Sequence, residues 1–179
     1  TELSDGDLAS LLRGAQSDIA ALRHYFSGVR DETGLEAEWN YLRYFRSDCT
    51  IRIQSDATAY ETWRVLVTAT ALGQVEVSAQ ELPARLVTLL TRSGTHFKLE
   101  SEEAWLASLQ IRPRRVRVVG QLPEITPDSP LANVDVAIFD GPVTESGIIE
   151  GLPFFKEQAV SITTHRFGNP ARHVQSVKL

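Results

Sequence analysis

Near the start of the chain, apolar residues recur at three- and four-residue steps: Leu8, Leu11, Leu12, Ala15, Ile19, Leu22 and Phe26. That spacing predicts an amphipathic helix with one apolar stripe. Ser4 or Asp5 can accept the free amide hydrogens at its start, and Gly28 can close it. The stripe suits either a packing arm or a partner-binding helix. Residues 29–40 are polar and include Gly34, so they predict a connection. From residue 41 the period changes. Residues 41–45 and 50–53 read as short strands. Ser55 or Asp56 caps a helix carrying Tyr60, Trp63, Leu66, Val67 and Thr70, which ends at Gly73. Residues 75–77 predict a strand and 82–91 a second helix. A third helix starts at Ser101, with Trp105, Leu106 and Leu109 on its buried side. Strands are predicted over 116–119 and 134–139.

Strands alternating with helices predict an α/β fold, with a Rossmann-like parallel sheet and covering helices. An N-terminal helix precedes the sheet and a C-terminal β-flap follows it. The chain divides on this reading into a helical arm (1–40), an α/β body (41–141) and a flap (142–179). Ile148, Ile149, Leu152, Phe154 and Phe155 form an apolar cluster at the start of the flap. Residues 160–164 then alternate as a strand.

Composition narrows the chemistry. The formal net charge of -5 over 179 residues argues against a general phosphate-binding surface, and so against a nucleic-acid partner. One cysteine excludes an intrachain disulfide and a Cys-rich zinc site. No apolar run approaches the length of a membrane span, and no export leader opens the chain, so the cytoplasm is the expected compartment. There is no methionine and the first residue is Thr1, which reads as a domain cut from a longer chain.

Catalytic patterns are missing where the fold would need them. A dinucleotide turn requires G-x-G-x-x-G between strand and helix. Here the strand over 116–119 runs into Gly120, Gln121, Leu122 and Pro123, and the strand ending near Ile53 into Gln54, Ser55 and Asp56. Cys49 lies beside Asp48, a poor setting for a reactive thiolate, and reads as a buried structural residue. His24, His96, His165 and His173 show no metal-ligand spacing. Glu100, Glu102 and Glu103 read as the first turn of a helix, where negative charge offsets the dipole. In the run Arg112, Arg114, Arg115 and Arg117, the last two share a strand face opposite Val116 and Val118. This run reads as a solvated edge or as the partner of an intrachain acid.

The stretch E-Q-A-V-S-I-T-T-H-R-F-G-N over 157–169 is dense in hydrogen-bonding side chains. It suits a solvated hairpin, or a surface that contacts another domain. It resembles the C-terminal motif of the bifunctional proline utilization A flavoenzymes. Asn40-Tyr41-Leu42-Arg43-Tyr44 is similar to that family's N-x-L-R-Y element, and residues 134–139 to its D-x-V-I-F strand. The opening helix and Asp31-Glu32-Thr33-Gly34-Leu35 resemble the segment after the aldehyde dehydrogenase domain. The chain departs from the pattern at Phe167, often Tyr in the family, and at Phe45-Arg46, where the family has R-P.

The resemblance implies a non-catalytic C-terminal domain of an oxidoreductase that converts proline to glutamate through pyrroline-5-carboxylate. The parent would use FAD and NAD, while this domain would bind no cofactor and no metal. Its implied partner is the aldehyde dehydrogenase domain of the same polypeptide, which it would cover while helping to seal a tunnel for the intermediate. The implied interface residues are Phe154, Phe155, Glu157, Gln158, Ser161, Thr163, Thr164, His165, Arg166, Phe167, Gly168 and Asn169. Two alternatives stay open: a nucleotide-dependent oxidoreductase, and a homodimerisation module whose flap pairs with a second copy.

Overall fold

The computed structural model describes residues 3–35, 38–72, 75–109, 115–124, 126–163, 165–166 and 169–170. Five short runs form a parallel sheet, the three central ones carrying Val, Ile or Thr at alternate or adjacent positions. Its strands are β3 (Cys49–Ile53), β4 (Val75–Ala79), β5 (His96–Leu99), β6 (Arg115–Val119) and β7 (Ala137–Phe139), in the order β5-β4-β3-β6-β7. The chain enters at the central strand β3 and builds outward through helices α2 (Ala59–Leu72) and α3 (Ala84–Ser93). It then returns through α4 (Glu102–Leu109) to place β6 on the other side of β3. The α/β fold class read from the sequence is the one observed.

Each face of the sheet has its own core. Ile51, Ile53, Val77, Ala79 and Val119 meet Val65, Ala69 and Leu72 of α2 and Leu86 and Leu90 of α3. On the opposite face Val116 and Val118 meet Trp105, Leu109 and Leu131. Alternation along a strand forces this division, because neighbouring side chains point to opposite faces.

Helix α1 (Asp5–Ala21) corrects the sequence reading. Ser4 caps it, with its Oγ accepting from the Asp7 amide at 3.1 Å. Yet the buried residues are Gly14, Asp18 and Ala21, while Leu8, Leu12 and Ile19 are exposed. A charge pair decides which face turns inward. Asp18 Oδ1 and Oδ2 each accept from the Arg64 guanidinium at 2.8 Å, and both side chains are at most 1% exposed. Arg64 also donates to the Thr144 carbonyl at 2.9 Å and to Thr68 Oγ1. An ideal Cβ on Gly14 would stand 2.4 Å from Arg64 Nε, so only glycine lets the guanidinium reach its partner.

The segment after β7 is organised in the same way. Arg117 on β6 holds Glu150 through two contacts of 3.2 Å, and donates to the carbonyls of Phe139 and Gly141 at 3.1 and 2.8 Å. Of the two readings of the basic run, Arg117 therefore takes the intrachain acid partner. The apolar cluster around Ile148 forms helix α5 (Gly147–Gly151), which packs on α1 so closely that a Cβ on Gly147 would lie 2.4 Å from the Ser17 backbone.

Other expectations shift locally. Thr58, not Ser55 or Asp56, caps α2: its Oγ1 accepts from the Glu61 amide at 3.2 Å, and Glu61 Oε2 accepts from the Thr58 amide at 2.9 Å. Strand β5 has no signal in the sequence, because His96–Leu99 is an edge strand with little burial and no apolar run. The strand predicted over 134–139 is confined to Ala137–Phe139, after a 3-10 turn at Pro130–Asn133.

Removing the Asp18 carboxylate strands a buried guanidinium. Asp18→Ala is expected to cost about 3–5 kcal/mol of unfolding free energy. Asp18→Ala combined with Arg64→Leu should cost less than the single change, and urea unfolding of both proteins checks this.

Candidate functional site

Strands β2 (Glu38–Arg46) and β8 (Phe155–Thr163) pair antiparallel along nine residues, from Glu38 opposite Thr163 to Arg46 opposite Phe155. Strand β1 (Arg30–Asp31) adds to the other edge of β2, giving the order β1-β2-β8. The outer edge of β8 has no strand partner among the described residues. A further pair, β9 (His165–Arg166) with β10 (Asn169–Pro170), follows the ribbon.

Residues directly opposite each other share a face, so the register sorts the ribbon into two surfaces. One carries Asn40, Leu42 and Tyr44 with Ser161, Ala159 and Glu157. Here Ser161 Oγ donates to Asn40 Oδ1 at 2.6 Å, and the Tyr44 hydroxyl hydrogen-bonds Glu157 Oε2 at 3.1 Å. The other carries Trp39, Tyr41, Arg43 and Phe45 with Ile162, Val160, Gln158 and Lys156. Trp39 and Tyr41 pack edge to face at 5.9 Å, and the Arg43 guanidinium lies 4.6 Å from the Phe45 ring. Arg43 Nε donates to Gln158 Oε1 at 2.8 Å.

The root of the ribbon is fixed to the body. Phe155 stacks on Phe26 at 4.1 Å, and Tyr44 meets Phe26 edge to face at 5.2 Å. Tyr44 also hydrogen-bonds the Tyr25 hydroxyl at 3.1 Å. Burial, then these two polar neighbours, push the Tyr44 hydroxyl well above its ordinary pKa, so it stays protonated.

The residues singled out from the sequence fall into three groups. Phe154 and Phe155 are 2% and 5% exposed and lie inside this chain's own core. Glu157, Gln158, Ser161 and Thr163 are exposed on β8, and the first three engage β2. His165, Arg166 and Asn169 lie on β9 and β10, whereas Thr164, Phe167 and Gly168 lie outside the described residues. Sequence reasoning missed Trp39 and Ile162. The polar run over 29–40 concealed the first residues of β2, although Trp39, Tyr41 and Phe45 already alternate.

The switch point between β3 and β6 is where Rossmann-like folds bind ligands. The Gln54 amide donates to the Val119 carbonyl at 2.9 Å. The Gln121 amide donates to both Asp56 carboxylate oxygens at 3.2 Å. Gly120 permits this with φ of 94°, and a Cβ there would sit 2.6 Å from Asp56 Oδ1. The Asp56 carboxylate, in the turn between β3 and α2, is thus tied to the loop after β6, and its charge opposes a second anion at the switch point. Cys49 is buried on β3, and desolvation pushes its thiol up to about 12, with the Arg117 backbone and the charges of Arg115 and Arg117 acting in the opposite direction. Among the described residues, no group of three His, Cys, Asp or Glu side chains could hold a metal, and no helix is long and apolar enough to cross a membrane.

No protein-family model matches the chain, and no curated protein matches it. Among solved structures it is similar to Proline Utilization A (PutA) from Corynebacterium freiburgense, with a TM-score of 0.52 and 28% sequence identity. The match covers 94% of this chain and 15% of that one, so the chain spans a small part of its neighbour's length. The likeness extends over nearly all of the chain and supports reading it as a PutA-like fragment.

Two measurements test this geometry. Leu42→Cys with Ala159→Cys places two thiols on directly opposed positions, and mild oxidation should join them, as mass spectrometry detects. Tyr41→Cys with Ala159→Cys puts the thiols on opposite faces and should not close. The raised thiol of Cys49 also has a sign. An unfolded cysteine ionises near pH ~8.5, whereas the folded thiol holds its proton to about 12. Stability is therefore retained below the unfolded value and declines as pH rises between the two. Urea unfolding at pH 8 and pH 10 should show a larger loss for the natural chain than for Cys49→Ala.

Proposed function

We propose that this chain is a non-catalytic C-terminal domain of a proline-catabolic oxidoreductase. In this reading it covers the NAD-dependent aldehyde dehydrogenase domain of the same polypeptide and helps to seal the passage of pyrroline-5-carboxylate. The observation that carries the proposal is the pairing of the two elements that resemble the family motifs. Asn40, Arg43 and Tyr44 of one element contact Ser161, Gln158 and Glu157 of the other, in register. The similarity to PutA over nearly the whole chain supports the same context.

The chemistry of covering follows from the two faces of the ribbon. Trp39, Tyr41, Phe45, Val160 and Ile162 make one face mainly apolar, with Arg43, Gln158 and Lys156 towards its root, and aromatic groups supply much of the energy of protein interfaces. Hydrogen bonds across the other face hold the two strands in one register, so the apolar face is organised before it meets a partner. The edge of β8 that has no strand partner among the described residues adds backbone donors and acceptors in a row. Water exclusion over a passage would then come from the apolar face. The parent's FAD and NAD would be held by its other domains. The Asp56 carboxylate at the switch point argues against a nucleotide site in this chain.

In the full polypeptide, Tyr41→Glu with Val160→Glu places two charges on the apolar face. NADH formation from proline should then show a lag, with the first oxidation intact. Coupled turnover without a lag would contradict the covering role. Calorimetric titration of the isolated chain with NAD should show no binding, whereas micromolar binding would favour a nucleotide-dependent oxidoreductase.

A further inference from the structure

Helix α1 turns its polar side inward and leaves an apolar stripe outside. Leu8, Leu12 and Ile19 are 48%, 67% and 49% exposed, and Ala15 lies between them half-buried. Their spacing of four, three and four residues is that of a coiled-coil seam. Gly14 and Asp18 face α2, where Arg64 holds them. Arg13 binds Glu145, and Ser17 Oγ accepts from the Gly147 amide at 2.9 Å, so the α5 side is occupied as well. The stripe points away from both contacts.

We infer that the stripe is a self-association surface, and that its occupant is α1 of a second copy of this chain, packed antiparallel. The sequence of the stripe is self-complementary in that direction. Leu8 falls opposite the second copy's Ile19, and Leu12 opposite its Ala15, which is the isologous arrangement of a two-fold dimer. Charge fixes the orientation. Asp5, in the first turn, and Arg23, just beyond the last α-helical turn, lie on the same flank of the stripe. Antiparallel packing brings each Asp5 beside an Arg23 at both ends of the seam, whereas parallel packing would leave both Asp5 side chains at one end and both Arg23 side chains at the other, with no opposite charge beside them. The inference concerns α1 and does not depend on the role proposed for the ribbon.

Sedimentation equilibrium of the full 179-residue chain tests it. The natural chain should show a concentration-dependent monomer–dimer equilibrium. Leu12→Glu should weaken association by about tenfold or more, with circular dichroism unchanged because the side chain is exposed. Asp5→Arg and Arg23→Asp should each weaken it, and the double exchange D5R with R23D should restore it. An effect through the helix dipole would instead make the double variant the worst of the three. A chain that stays monomeric at every concentration would overturn the inference. So would a dimer indifferent to Leu12→Glu, or a double exchange no better than the single ones.

Discussion

Two buried guanidinium groups determine how α1 and α5 lie against the sheet body. Arg64 on α2 collects Asp18 from α1 and the carbonyls of Thr144 and Glu145. Arg117 on β6 collects Glu150 from α5 and the carbonyls of Phe139 and Gly141. Each arginine sits where an apolar residue would otherwise extend the core, and each has its donors directed at fixed acceptors. Desolvating such charges is costly, so the arrangement holds only if every partner is present. The close approaches at Gly14 and Gly147 are the steric counterpart of these pairs. With α1 and α5 held in this way, Phe26 and Phe154 enter the main core, and Phe155 starts β8 from a stacked, buried position.

The ribbon inherits its rigidity from that root. A two-stranded ribbon alone is marginal in water. Here β1 supports one edge, while Phe26, Tyr25 and Tyr44 clamp the base. The sheet body retains the strand order of a nucleotide-binding fold, but the loops after β3 and β6 are tied together through Asp56. The chain thus keeps the scaffold of such a fold, while its distinctive surface is displaced onto the ribbon.

Much of this was legible in the sequence where period and burial agree. The runs 50–53, 75–77 and 116–119 are apolar strands, and each is a strand of the sheet. Legibility failed where a polar contact overrides the pattern. The stripe through Leu8, Leu12 and Ile19 has the right spacing for burial, yet nothing local reveals that Asp18 has a buried arginine forty-six positions away. Edge strands with few apolar residues, such as His96–Leu99, escape for the complementary reason. The candidate site was half legible. Glu157, Gln158 and Ser161 could be singled out by their density of polar groups, but their partners on β2 are set by a pairing between distant segments. The same pairing defines the apolar face through Trp39 and Ile162, which no window of sequence brings together.

Helix α1, helix α5 and the β2–β8 ribbon are fastened to the sheet as one cooperative structure, which makes the ribbon a rigid surface. Native-state amide hydrogen exchange tests it most directly. The hydrogen-bonded amides of α1 and of paired β2 and β8 should open with free energies close to those of β3 and β6. Exchange of the α1 and ribbon amides at rates near those of an unfolded chain, while β3 and β6 stay protected, would contradict it.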